Sequence, residues 1–177
     1  MIHGSSELGF EVALPASWFV ADLTTDDIDE IADVLAADNP ELVELLRTAT
    51  SDDELAFRFW AFDLDDTVDE FLTNVNVTAF PRGPFDDPEV YQEALGAQFE
   101  SVGGKLISSE LVDLGDGGLF VEMQIPLVNA QGADVTSNGF QLFAFTENEV
   151  INISFSTDTP AEYADAIDVM RDTFGTR

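Results

Sequence analysis

Four side chains near the middle of the chain have the types and spacing of a recognition patch. Arg58 and Trp60 are two apart in the apolar run over 55–62, and Asn74 and Asn76 are two apart in the run over 72–80. A period of two puts each pair on one face of a strand. Asparagine is depleted in strands, so two of them on one face have two readings: a solvent-facing ladder, or a polar patch. In the second, the Arg58 cation and two amides would fix a ligand or a partner backbone, with Trp60 as core or as apolar floor. The ligand- or partner-binding set is therefore Arg58, Trp60, Asn74 and Asn76. Asp113 and Asp116 flank a Gly-rich turn without EF-hand spacing, and Asp-Gly is ordinary hairpin chemistry. His3 is the only histidine, it sits in a terminus expected to fray, and cysteine is absent. From these residues no triad, histidine metal site or thiolate site can be assembled. No phosphate-binding loop or dinucleotide fingerprint occurs, and neither a metal nor a cofactor is expected.

Immediately after the first run, Phe62-Asp63-Leu64-Asp65-Asp66-Thr67 resembles the DxDxT motif of the haloacid-dehalogenase phosphatases. The resemblance implies Asp63 as nucleophile on phosphorus, Asp65 as general acid and Mg²⁺ to neutralise the phosphate. That family requires parallel strands with helical crossovers, whereas this chain proceeds through hairpins. Thr78 and Lys105 also fall too soon to serve as the threonine and lysine of later motifs. A chain so rich in aspartate produces such a run by composition alone, so the expectation is no enzyme, with a Mg²⁺-dependent phosphatase as the alternative.

Six basic and thirty-six acidic residues leave a net charge of −30. Such a body repels nucleic acid and anionic membrane surfaces. It suits general solvation or high salt, and secondarily a basic protein partner or weak divalent-cation binding to the acidic surface. No apolar run reaches the length needed to span a bilayer. Localisation depends on the start: cytoplasmic if Met1 is the true start, cell envelope or secreted if a leader has been trimmed.

The elements that must position these residues are legible as local patterns. Residues 9–14 alternate as a strand that ends at Pro15. Over 24–49 the acids crowd the outer faces of a predicted helical hairpin, with Ile28, Ile31 and Leu35 on its apolar stripe and Asn39-Pro40 restarting it. Asp87-Pro88-Glu89 starts a helix with Tyr91, Leu95 and Phe99 on one side, and Gly103-Gly104 ends it. A hairpin turns at Asp116-Gly117-Gly118. A second hairpin over 139–157 turns at Glu147-Asn148-Glu149, and Thr159-Pro160-Ala161-Glu162 carries the cap and first-turn proline of a final helix. Short turns between consecutive strands demand antiparallel pairing. A chain of 177 residues with no linker or repeat suits one domain, 1–177, with the helical insertion at about 24–50.

The opening Gly9-Phe10-Glu11-Val12-Ala13-Leu14-Pro15-Ala16-Ser17-Trp18, the strand Thr73-Asn74-Val75-Asn76-Val77, and the closing Ser154-Phe155 with a last helix ending Asp172-Thr173-Phe174 are similar to the PsbP-like superfamily, which groups PsbP, Mog, DcrB-type and LpqN-type proteins. The resemblance implies an α+β fold, an α/β/α sandwich around a mainly antiparallel sheet covered by helices. It also implies a non-enzymatic binding, adaptor or assembly role of a prokaryotic kind, usually with a protein partner. Pro15 and Trp18 match as structural residues only. A small-ligand-binding domain using Arg58, Asn74 and Asn76 is the other alternative.

Overall fold

Period-two alternation over the last hairpin builds the middle of the molecule. A computed structural model describes residues 2–5, 10–23, 31, 43, 56–65, 71–83, 87–101, 103–114, 116–128 and 134–173. The chain enters through β1 (Ile2–Ser5), β2 (Phe10–Ala13) and β3 (Phe19–Asp22), then β4 (Ala56–Phe62) and β5 (Asn74–Pro81). Helix α1 (Pro88–Ser101) precedes β6 (Lys105–Val112), β7 (Gly118–Val128), β8 (Asp134–Phe145) and β9 (Glu149–Thr157), and α2 (Ala164–Thr173) follows. Seven strands form one sheet in the order β3-β4-β5-β9-β8-β7-β6, with every pairing antiparallel. The fold is α+β, and the phosphatase topology of parallel strands does not occur among the described residues.

The strand nearest the C-terminus is thus the centre of the sheet. On one face β9 buries Ile151, Ile153 and Phe155 beside Val75, Val77, Leu142 and Phe59, and this cluster also takes in Phe10 and Val12 of β2, Trp18, and Ile167 of α2. On the other face α1 places Leu95, with Tyr91 and Phe99, against Leu119, Val121, Phe143 and Phe145, as the i, i+4, i+8 spacing predicts. Gly103 adopts φ +77° at the end of α1, where Gly104 N–H donates to Phe99 O at 2.9 Å and Gly103 N–H to Glu100 O at 3.1 Å. This left-handed stop is the one that the Gly-Gly pair announced.

Two local expectations are corrected. The terminus around His3 is a strand rather than a frayed end: His3 pairs in register with Val12, and the β1–β2 hairpin forms a separate two-stranded sheet. Helix α2 begins at Ala164, four residues after the expected first-turn proline. Glu162 N–H instead bonds Thr159 O and Tyr163 N–H bonds Pro160 O, at 2.9 and 3.3 Å. These i+3 bonds make tight turns before the first i+4 bond, Ile167 N–H to Tyr163 O at 3.0 Å. The helical hairpin expected over 24–50 lies outside the described residues apart from Ile31 and Val43, which are helical and buried with Ala21, Trp60 and Phe62.

Candidate ligand cleft

Register in the three middle strands collects uncharged polar groups on the α1 side. Asn76 of β5 lies opposite Ser154 of β9, which lies opposite Gln141 of β8. One rung along, Thr78 is opposite Asn152, and Asn152 is opposite Phe143. Since Ile151, Ile153 and Phe155 fill the other face, alternation sends Asn152 and Ser154 this way. Phe57, Phe80 and the α1 residues Tyr91, Leu95, Gln98 and Phe99 complete the walls of a cleft of about 340 Å³. That volume is at the lower end of small-molecule sites.

Two features set the chemistry of the cleft. None of its lining side chains carries a charge at neutral pH, in a chain whose net charge is −30. Asn152 lines the cleft, but its Oδ1 is buried away from it and has no hydrogen-bond partner among the described residues. Tyr91 meets Phe143 edge-on at a ring separation of 4.9 Å and Phe145 at 5.7 Å, and burial pushes its phenol up to about 12. The neutral phenol therefore stabilises the fold fully below the ordinary tyrosine pKa of about 10, and this contribution is lost as pH rises towards the folded value. The urea midpoint is expected to fall over that alkaline window. Tyr91→Phe, which has no proton to lose, should fall less steeply, and parallel curves would remove Tyr91 as the cause.

The four residues singled out in the sequence separate in space. Asn76 lines the cleft. Trp60 is stacked between Phe57 and Phe62, with centroids 5.3 and 5.2 Å away, and its Nε1–H donates to Asn74 Oδ1 at 3.2 Å. Asn74 Nδ2 in turn donates to Leu72 O at 3.0 Å. Asn74 therefore ties β4 to β5 beside the cleft. Arg58 does not share the face of Trp60, because a bulge between Phe57 and Phe59 breaks the alternation of β4. Its Nη2 donates to Glu149 Oε2 at 2.6 Å, and Glu149 falls in the alternate set of Ile151 and Ile153. Gln141, Asn152, Ser154 and Tyr91 were missed. The signal for Asn152 and Ser154 was polar residues at every second position of a strand that ends up in the middle of the sheet.

Asp63 lies elsewhere, at the end of β4. Its Oδ2 accepts from Tyr163 Oη–H at 2.9 Å and its Oδ1 from Asp65 N–H at 3.2 Å, so both oxygens are engaged in holding a turn and the approach to α2. Asp66 and Thr67 lie outside the described residues. Asp63, Glu162 and Asp165 border a second cavity of about 420 Å³ whose other walls include Leu14, Pro15, Trp18, Ala166 and Val169. The described residues contain no group of three or more His, Asp or Glu able to hold a metal ion.

Comparison with solved structures gives the architecture a precedent. The solution structure of cyanobacterial PsbP (CyanoP) from Synechocystis sp. PCC 6803 superposes with a TM-score of 0.58 over 97% of this chain and 88% of that one, at 11% identity. The chain has the PsbP-like fold. A protein of unknown function from Pseudomonas aeruginosa, PA94, is similar over 71% of this chain and 83% of its own, with a TM-score of 0.47 and 12% identity. No family model and no curated protein matches the sequence. Within the PsbP-like frame, the opening Leu-Pro-x-x-Trp stretch and the closing elements meet: Trp18 lies 6.0 Å from Phe155 and 6.1 Å from Tyr163, ring to ring. Trp18 thus acts in packing, and the exposed Pro15 acts in the turn, its O accepting from Trp18 N–H at 3.3 Å. No helix among the described residues is long and apolar enough to cross a membrane.

Proposed function

We propose that this PsbP-like chain is a non-enzymatic binding domain and that its ligand site is the cleft between α1 and the middle of the sheet. The observation that carries this reading is a cleft of about 340 Å³ in which Asn76, Gln141, Asn152 and Ser154 are gathered among aromatic walls with no charged side chain, large enough for a small molecule. Asn76 is the member of the sequence-derived set that would touch the ligand, Trp60 and Asn74 would brace the wall behind it, and Arg58 would act at a distance through its ion pair with Glu149. We read residues 1–177 as a single domain in which helices cover both faces of the sheet, with an acidic helical hairpin inserted at about 24–50.

The experiment is a fragment screen read by the side-chain amide NMR signals of Asn76, Gln141 and Asn152. Hits that shift these three signals together are expected. A screen whose hits fall elsewhere, or that has none, would sink the reading. A protein partner is the second reading, favoured by the cavity beside α2, where three carboxylates border apolar walls and would suit a basic amphipathic segment.

A further inference from the structure

Resting on the cleft as the binding site, we infer that its ligand is a neutral sugar, a pyranose ring hydrogen-bonded by side-chain amides and stacked on aromatic side chains. Four observations lead to this. Asn76 and Gln141 stand on the strands either side of β9, opposite Ser154. At about 4.8 Å per strand their backbones are about 10 Å apart, which leaves room for one ring between the side chains. Both residues are half-buried, and Gln98 of α1, on the opposite wall, is exposed, so these amides are open to a ligand. Each amide offers an acceptor oxygen and an NH₂ donor. A hydroxyl both donates and accepts, so a ring with hydroxyls all round it meets an amide whichever way that amide turns. The rings of Phe57, Phe80, Tyr91 and Phe99 are half-buried in the same walls, and the C–H face of a sugar is the apolar surface that stacks on them. No lining side chain supplies a counter-charge, Tyr91 being held neutral by burial, and the net charge of −30 repels anions at a distance. A sugar acid or sugar phosphate would therefore leave water unpaired, at high cost.

The direct test is a probe series read by the side-chain amide NMR signals of Asn76, Gln98 and Gln141. The methyl pyranosides of glucose, galactose and mannose are neutral and hydroxylated. Against them stand 2-methoxytetrahydropyran, the same ring without hydroxyls; glucuronate, an anion; and N-acetylglycinamide, a neutral amide with no ring. At least one of the three pyranosides is expected to shift these signals together and to bind about tenfold or more tightly than 2-methoxytetrahydropyran, because a ring stripped of hydroxyls dries the amides without pairing them. Glucuronate should also bind about tenfold or more weakly than that pyranoside, for want of a counter-charge. N-acetylglycinamide should bind more weakly too, since it has no face to stack.

Asn76→Leu and Gln141→Leu should each weaken the pyranoside about three- to tenfold, the size of one hydrogen bond, and leave 2-methoxytetrahydropyran bound as well as before or better. That contrast separates a lost hydroxyl contact from a distorted cleft, which would weaken both probes. If one variant does not fold, the other carries the test, and the probe series on the unaltered protein stands without either. A pyranoside that binds both leucine variants as tightly as wild type would overturn the inference. Equal or tighter binding of 2-methoxytetrahydropyran, glucuronate or N-acetylglycinamide in the cleft would overturn the ligand class while leaving the site intact. Fragment hits in the cleft with no binding of any pyranoside would do the same, and a screen with no hits there would remove the site itself.

Discussion

Replacing Phe155 with alanine is expected to lower the free energy of unfolding by about 3–5 kcal/mol, the usual cost of emptying a core position of a phenylalanine. Phe155 is 1% exposed and is in β9, the middle strand. Its ring contacts three others: Tyr163 before α2 at 5.7 Å, Trp18 at 6.0 Å and Phe140 of β8 at 6.4 Å. The cavity would thus open where the entry segment, the sheet and the approach to α2 meet. A domain of this size is stable by about 5–15 kcal/mol in total, so the variant should sit near its unfolding threshold. Urea denaturation of wild type and variant measures the difference. A loss below about 1 kcal/mol, the level of a surface substitution, would show that Phe155 is not a packing centre.

Gly117→Ala is expected to cost about 2–4 kcal/mol, adding an unfavourable backbone conformation to overpacking. Gly117 has φ +117°, which side chains rarely adopt, and a Cβ there would lie 2.8 Å from Pro88 Cγ. Pro88 is the first residue of α1, and its ring atom cannot swing aside as the end of a long side chain would. The same turn is held by Gly117 N–H to Leu114 O at 2.9 Å, and Phe145 N–H donates back to Gly117 O at 3.0 Å. Gly83→Ala is the control, because a Cβ at Gly83 meets nothing within 4 Å and its φ is ordinary. The control should stay within about 0.5 kcal/mol of wild type. Thermal unfolding of the two variants side by side decides the matter, and equal stabilities would show that neither the clash nor the torsion constrains the turn.

The hairpin turn at Gly117 was readable from Asp116-Gly117 alone, and so were the β8–β9 hairpin, the stripe of Tyr91, Leu95 and Phe99, and the Gly103-Gly104 stop. Each depends on residues within a few positions of one another, through torsions, capping and periodicity that the local chain carries with it. Antiparallel pairing between consecutive strands followed in the same way from short turns. The start of α2 was misplaced because the Thr159-Pro160 signal suits a tight turn as well as a helix cap, and local chemistry does not distinguish the two.

The pairing of β5 with β9, between strands separated by α1 and three other strands, has no local signature, and it is that pairing which brings Asn76 and Thr78 beside Ser154 and Asn152. The bulge that turns Arg58 away from Trp60 arises in the register between β4 and β5, not in the composition of β4. By itself, then, the sequence determined the two hairpins, the stripe and stop of α1, the antiparallel succession and the resemblance to the PsbP-like fold, while β1 and the start of α2 came only with the structure. Only the tertiary structure decided which polar side chains share a cleft and which acceptor is left unpaired, because burial and hydrogen-bond satisfaction depend on neighbours that the chain meets only after long-range strands have paired.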